Sequence, residues 1–140
     1  MFSLGNSVDV NENANLYIAY CFKEIEGYSK FGFFEGNAST DGTMIYTGFK
    51  PRMIIAKCID NTSAWHQADT NLESSQGNPC GYINVNTSEH YQNYAHYDLL
   101  SNGFKIRDNG TESNRSATFV YFAWATEPFK YATAGTGVDY

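Results

Sequence analysis

The sequence predicts an all-β fold, an antiparallel β-sandwich or jelly roll of about nine short strands. Three observations predict it. Aromatic residues reach 16%, with 11 Tyr and 10 Phe. The chain also holds 14 Asn, 11 Ser, 11 Thr and 12 Gly, the residues of polar turns. Finally, no window of twelve or more residues keeps a 3.6-residue apolar period with caps, so no long helix is expected.

Each element follows in order. Residues 1–15 are polar and without period, and read as an extended arm or linker. Leu16–Phe22 is an apolar, aromatic run and reads as a strand. Residues 27–36 carry Tyr28, Phe31, Phe33 and Phe34 between glycines, and residues 37–42 end in the turn dipeptide Asp41-Gly42. Thr43–Phe49 is a strand, and Pro51 holds Lys50 extended. Met53–Ile59 is almost continuously apolar, the pattern of a strand covered on both faces. After a turn at 60–63 comes a short strand, 64–69, that carries Trp65, and then a polar loop over 70–79. Gly81–Val85 is a brief strand. Tyr94–Leu100 and Phe104–Arg107 form a hairpin closed by Ser101-Asn102-Gly103, with glycine at a left-handed position. A turn-rich loop fills 108–116. Thr118–Ala125 is the last strong strand, and residues 131–140 form a fraying tail.

With 140 residues and 15.7 kDa, the chain suffices for one domain, placed at 16–130, whose folding removes roughly two-thirds of the extended chain's surface from water. Net charge is -6, and the nine Lys and Arg are scattered, which argues against a nucleic-acid partner. No apolar run approaches the ~18 residues of a membrane span, and the first residues show no signal-peptide pattern. Cys21, Cys58 and Cys80 are an odd set. Cys21 and Cys58 sit in apolar runs, and three free thiols in a reducing compartment are expected.

Leu16–Phe22 aligns without gaps on Thr118–Trp124: Ile18 on Val120, Tyr20 on Phe122, Cys21 on Ala123 and Phe22 on Trp124, an offset of 102 residues. That spacing is a whole small domain rather than a solenoid unit. One reading is a closing strand of one copy followed by a complete second copy; the other is chance similarity between aromatic-rich strands.

Residues 17–32, Tyr17-Ile18-Ala19-Tyr20-Cys21-Phe22-Lys23-Glu24-Ile25-Glu26-Gly27-Tyr28-Ser29-Lys30-Phe31-Gly32, resemble a segment of a repeat β-sandwich domain found in tailed-bacteriophage virion proteins, often from marine phages. In that family it joins consecutive copies, so residues 16–27 resemble the closing strand of a preceding copy. Residues 36–57, with Thr47-Gly48-Phe49-Lys50-Pro51-Arg52-Met53-Ile54-Ile55-Ala56-Lys57, resemble the opening of the next copy, and Trp65 and Asp69 match residues that follow there. Residues 100–107 and 121–130 resemble its hairpin and closing strand. The likeness spans roughly 15–130 and is vague across 70–94. Lys23 stands where the family usually has a small residue, and His66-Gln67-Ala68 where it is more apolar. The resemblance implies a modular virion domain of tail fibres or other appendages, located in the virion after assembly in the host cytoplasm, and does not imply an enzyme.

Candidate chemistry is sparse. His66, His90 and His96, with Asp69 or Asp98, invite a metal reading, but no short ligand spacing is present, and solvated surface histidines are expected with no metal and no cofactor. No nucleophile motif or phosphate-cradling loop is present, so catalysis is not expected. Tyr82, His90, Tyr91, Tyr94, His96 and Tyr97, interleaved with Asn84, Asn86, Gln92 and Asn93, have the chemistry of a sugar-binding surface. Tyr82, Tyr91, Asn93, Tyr94 and Tyr97 are the candidate glycan-binding residues; a Tyr-lined loop packed on a neighbouring subunit is the equal alternative. Both side-chain rows of 118–125 are apolar, so both need covering. Phe119 and Tyr121 are therefore candidates for a homo-oligomer interface. Five Asn-x-Ser/Thr sequons, at Asn37, Asn61, Asn86, Asn109 and Asn114, read as coincidence in exposed loops.

The expected function is a non-enzymatic virion structural or tail-appendage domain, with attachment to host-surface polysaccharide as its possible work. The alternatives are a carbohydrate-binding module of a soluble secreted protein and, behind it, a glycan-cleaving domain.

Overall fold

A computed structural model describes residues 2–72, 81–89, 91–94 and 96–126. The tail at 131–140 and residues His90 and Cys80 lie outside the described residues. Among the described residues the elements, in chain order, are a one-turn helix α1 (Val8–Asn11) and eight strands: β1 (Ser29–Glu35), β2 (Met44–Tyr46), β3 (Pro51–Cys58), β4 (His66–Asp69), β5 (Tyr82–Asn84), β6 (Tyr97–Leu100), β7 (Gly103–Ile106) and β8 (Thr118–Ala125). They form two antiparallel sheets, ordered β1-β8-β3-β4-β5 and β2-β7-β6, packed face to face as a β-sandwich.

The last strand is the axis of the larger sheet. β8 pairs with β1 from Ser29↔Trp124 to Glu35↔Thr118, and with β3 from Pro51↔Ala125 to Cys58↔Phe119. Its alternation sends Phe119, Tyr121 and Ala123 inward, where each is at most 3% exposed. Phe34 of β1 stacks on Phe119 with ring centroids 4.9 Å apart. Across the interior, Phe104 of β7 meets Tyr121 edge-on at 5.4 Å and Tyr97 of β6 at 6.0 Å. In β3 the register shifts between Pro51 and Met53, and this extra residue lets Pro51 and Ile54 both point inward despite their odd spacing.

Four expectations are corrected. Leu16–Phe22 is not a strand: Leu16, Ile18 and Tyr20 are largely exposed, and Cys21 is exposed rather than packed. Apolar alternation without a neighbouring strand has no ladder to join, and among the described residues none lies beside it. The segment is anchored instead by Phe22, whose ring lies 5.6–6.0 Å from Phe31, Phe122 and Trp124 on the outer face of the large sheet. The β6–β7 hairpin turns on two residues, Ser101 and Asn102, because Leu100 pairs with Gly103. Gly103 is demanded by proximity rather than by a left-handed turn: a Cβ there would sit 2.1 Å from the Ile45 carbonyl oxygen.

Third, Phe119 and Tyr121 form the interior of this chain and cannot serve an interface between chains. The row of β8 that looks outward is Val120, Phe122 and Trp124, partly covered by Phe31, Trp65 and Phe22. Fourth, Asn114 is fully buried rather than in an exposed loop. Its Oδ1 accepts from the Asn37 amide (3.1 Å), and its Nδ2 donates to Asn37 Oδ1 (2.9 Å) and to the Ser39 carbonyl (2.7 Å). A single amide thus ties the 108–116 segment to the 37–42 turn.

Replacement of Phe119 by Ala is expected to cost about 3–5 kcal/mol of stability. The same change at partly buried Phe122 should cost less, about 2 kcal/mol. Urea unfolding of both variants checks which row of β8 is the interior.

Candidate functional site

The larger sheet has five strands and the smaller three, so the inner face of β4 and β5 reaches past the facing sheet. On that face the antiparallel register sets His66 opposite Asn84 and Ala68 opposite Tyr82. An apolar side chain at these positions would continue the core. The sequence supplies His66, Tyr82 and Asn84 instead, and the 107–116 segment closes over them.

The rings form a cluster. Tyr82 and His96 lie 4.2 Å apart at 30°, His66 and Tyr82 4.9 Å at 34°, and His66 and His96 5.8 Å. Each imidazole faces a carboxylate from the covering segment. His66 Nε2 is 3.4 Å from Glu112 Oε2, and His96 Nε2 is 3.6 Å from Asp108 Oδ2. Asp108 is held in place by hydrogen bonds from the Gly110 amide (3.0 Å) and the Ser113 hydroxyl. Asn84 Nδ2 donates to Glu89 Oε2 at 2.6 Å.

Burial governs the titration of these rings. Loss of water pushes the His96 pKa down to about 4, overcoming the attraction of Asp108. His66, only 1% exposed, is lowered by the same cause, opposed by its contact with Glu112. Both imidazoles are therefore neutral at neutral pH. With Nε2 turned to a carboxylate, the proton of His96 belongs on Nε2, and Nδ1 carries the lone pair. Among the described residues, that buried Nδ1 and the buried Oδ1 of Asn84 have no hydrogen-bond partner.

Beside this cluster opens a cleft of about 510 Å³, lined by Tyr82, Tyr94, His96, Arg107, Asp108, Gly110, Thr111, Glu112 and Ser113. Arg107 does not offer a free charge to it, since its guanidinium engages Asp98 and lies 3.7 Å from Asp41. The cleft thus presents aromatic rings, hydroxyls and two carboxylates at one end of the sandwich, an arrangement that can hold a small polyhydroxylated molecule.

The sequence-predicted residues scatter around this cleft. Tyr82 and Tyr94 line it. Tyr91 lies against Gly81, where a Cβ would come within 2.3 Å of its ring, and Asn93 is exposed. Tyr97 is buried in the core, because strand alternation turns it toward Phe104. The histidines correct the expectation of a solvated surface: His66 is buried in the ring cluster, and His96 beside it keeps only 13% of its side chain exposed. Asp98 turns to Arg107, and Asp69 lies 3.6 Å from Arg52. Among the described residues, no three His, Cys, Asp or Glu side chains converge as metal ligands, and no helix is long and apolar enough to cross a membrane. Sequence reasoning missed Asp108, Thr111, Glu112 and Ser113. Their one local signal was two acids set among small polar residues in a loop.

The fold and the cleft together define an all-β sandwich with a polar, aromatic-lined depression at one end of its inner face. The chain belongs to the family described as Domain of unknown function (DUF7483), whose model matches residues 1–128. No curated protein and no solved structure matches it.

The buried histidines make stability depend on pH. An unfolded imidazole takes up a proton near its ordinary pKa of 6.5, whereas folded His96 resists until about 4. Proton uptake therefore favours the unfolded chain as pH falls from about 6.5 to about 4, by roughly 3 kcal/mol for this one group at the low end. Stability should decline across that window, and His96→Gln should flatten the decline. Urea midpoints of both proteins from about pH 7.5 to 4.5 check it.

Proposed function

We propose that this chain is a non-enzymatic structural and receptor-binding module of a phage virion appendage, and that it attaches to host-surface glycan through the Tyr82–Tyr94 cleft. The virion part of the reading rests on the resemblance of residues 17–32, 36–57, 100–107 and 121–130 to the phage repeat domain. The single observation that supports the glycan part is the cleft itself, with two tyrosines, a histidine, a threonine and two carboxylates lining one depression. Aromatic faces take the apolar faces of pyranose rings, and the polar groups take their hydroxyls. Single contacts of this kind are weak, and repeated modules in one particle would multiply them.

A homo-oligomer fits the same reading. Phe122 and Trp124 of the outward row are flanked by Trp65, Val85, Tyr20 and Phe22, and Ile18 and Leu16 of the same N-terminal segment are exposed as well. An apolar surface of this extent suits burial against a sister chain or another virion protein.

Tyr94 is exposed at the mouth of the cleft, so Tyr94→Ala should leave the unfolding midpoint within about 0.5 kcal/mol of the parent. It should also lower retention on host-surface polysaccharide by about tenfold or more, corresponding to about 1.4 kcal/mol. Unchanged retention would remove the cleft from the reading, and release of reducing ends would replace attachment by cleavage. For the apolar face, light scattering should show mass rising with concentration, and Ile18→Glu with Leu16→Glu should return the chain to a monomer.

A further inference from the structure

The hydrogen-bonding groups at the cleft are unbalanced in a way that selects among glycans. Asp108 and Glu112 line it as acceptors, Arg107 is already engaged by Asp98 and Asp41, and Glu89 stands behind at Asn84. His96, a lining residue, leaves its buried Nδ1 without a partner among the described residues. Behind the lining, the Oδ1 of Asn84, in register with His66, is likewise buried and without a partner among the described residues. The neutral tautomer of His96 that suits Asp108 makes its Nδ1 another acceptor. The charged groups that line the cleft are thus two carboxylates and an already engaged guanidinium, and the charge left to a ligand is negative.

We infer that the glycan recognised by this cleft carries a protonated amine, making it an amino sugar rather than an N-acetylated, neutral or uronic-acid sugar. This rests on the glycan reading above. The ammonium sits between Glu112 and Asp108, donates to carboxylate oxygens that already take part in neutral contacts but face no cation in the cleft among the described residues, and meets the tyrosine rings as a cation over an aromatic face. A uronic acid would place a carboxylate against two others, and an N-acetyl group would exchange three donors for one and lose the charge.

The test is titration of the whole chain at about pH 6 with glucosamine oligomers, their N-acetylated counterparts, uronic-acid oligomers and spermidine. At that pH the sugar amine is largely protonated while His96 remains neutral. The amine oligomer should bind about tenfold more tightly than its acetylated form, roughly the value of one charge-assisted hydrogen bond. Glu112→Gln, which keeps the shape of a half-exposed side chain, should erase that difference. Equal binding of amine and acetylated oligomers would overturn the inference and leave the glycan reading intact. Spermidine binding as tightly as the amine oligomer would overturn it by assigning the site to amines without sugar. Binding of no oligomer would overturn it as well, and loss of retention in the Tyr94→Ala comparison separately decides whether the glycan reading survives.

Discussion

β8 is hydrogen-bonded along both of its edges and apolar on both of its faces, and the rest of the molecule is arranged to meet those four demands. Its edges are taken by β1 and β3 over nearly their full lengths. Its inner row, Phe119, Tyr121 and Ala123, is closed by the three-stranded sheet, chiefly through Phe104. Its outer row is closed only in part, by Phe31, Trp65 and the ring of Phe22 reaching back from the N-terminal segment. Leaving the buried backbone of β8 unpaired or its inner aromatic row wet would cost on the order of several kcal/mol, a large share of a small domain's margin of stability. The fold therefore keeps its two eight-residue strands, β8 and β3, side by side in the interior of the larger sheet.

The cleft is a consequence of the same arrangement. A five-stranded sheet facing a three-stranded one leaves an overhang, and at this overhang the inward positions of β4, β5 and the approach to β6 hold His66, Tyr82, Asn84 and His96. The 107–116 segment covers them with Asp108 and Glu112, and Asn114 secures that cover by binding the 37–42 turn. Two neutral, water-poor imidazoles beside carboxylates weaken the fold toward acid. That price in stability accompanies a depression rich in acceptors, as functional sites often combine strain or misfit with chemistry.

Much of the strand order was legible along the chain because aromatic and β-branched alternation is a local property. Thr118–Ala125 was recovered residue for residue, and β3, β4, β5 and β7 came within two or three residues of their ends. Leu16–Phe22 carries the same local pattern as β8 and failed, since a strand exists only when another strand satisfies its backbone. Of the site, Tyr82 and Tyr94 were legible from aromatic clustering, whereas Asp108 and Glu112 lie in a loop whose composition reads only as a turn.

The sequence by itself determined that the chain is all-β, that 118–125 must be covered on two faces, and that aromatic rings gather near 82–97. Those properties follow from the nature and spacing of neighbouring side chains. Only the tertiary structure decided which row of 118–125 is interior, that Gly103 serves a close approach to Ile45, that Tyr97 is core while Tyr94 is surface, and that His66, His96, Asp108 and Glu112 meet. Each of these depends on which segments become neighbours in space, and contacts such as Ile45 with Gly103 or His66 with Glu112, far apart in the chain, leave no mark in any local pattern.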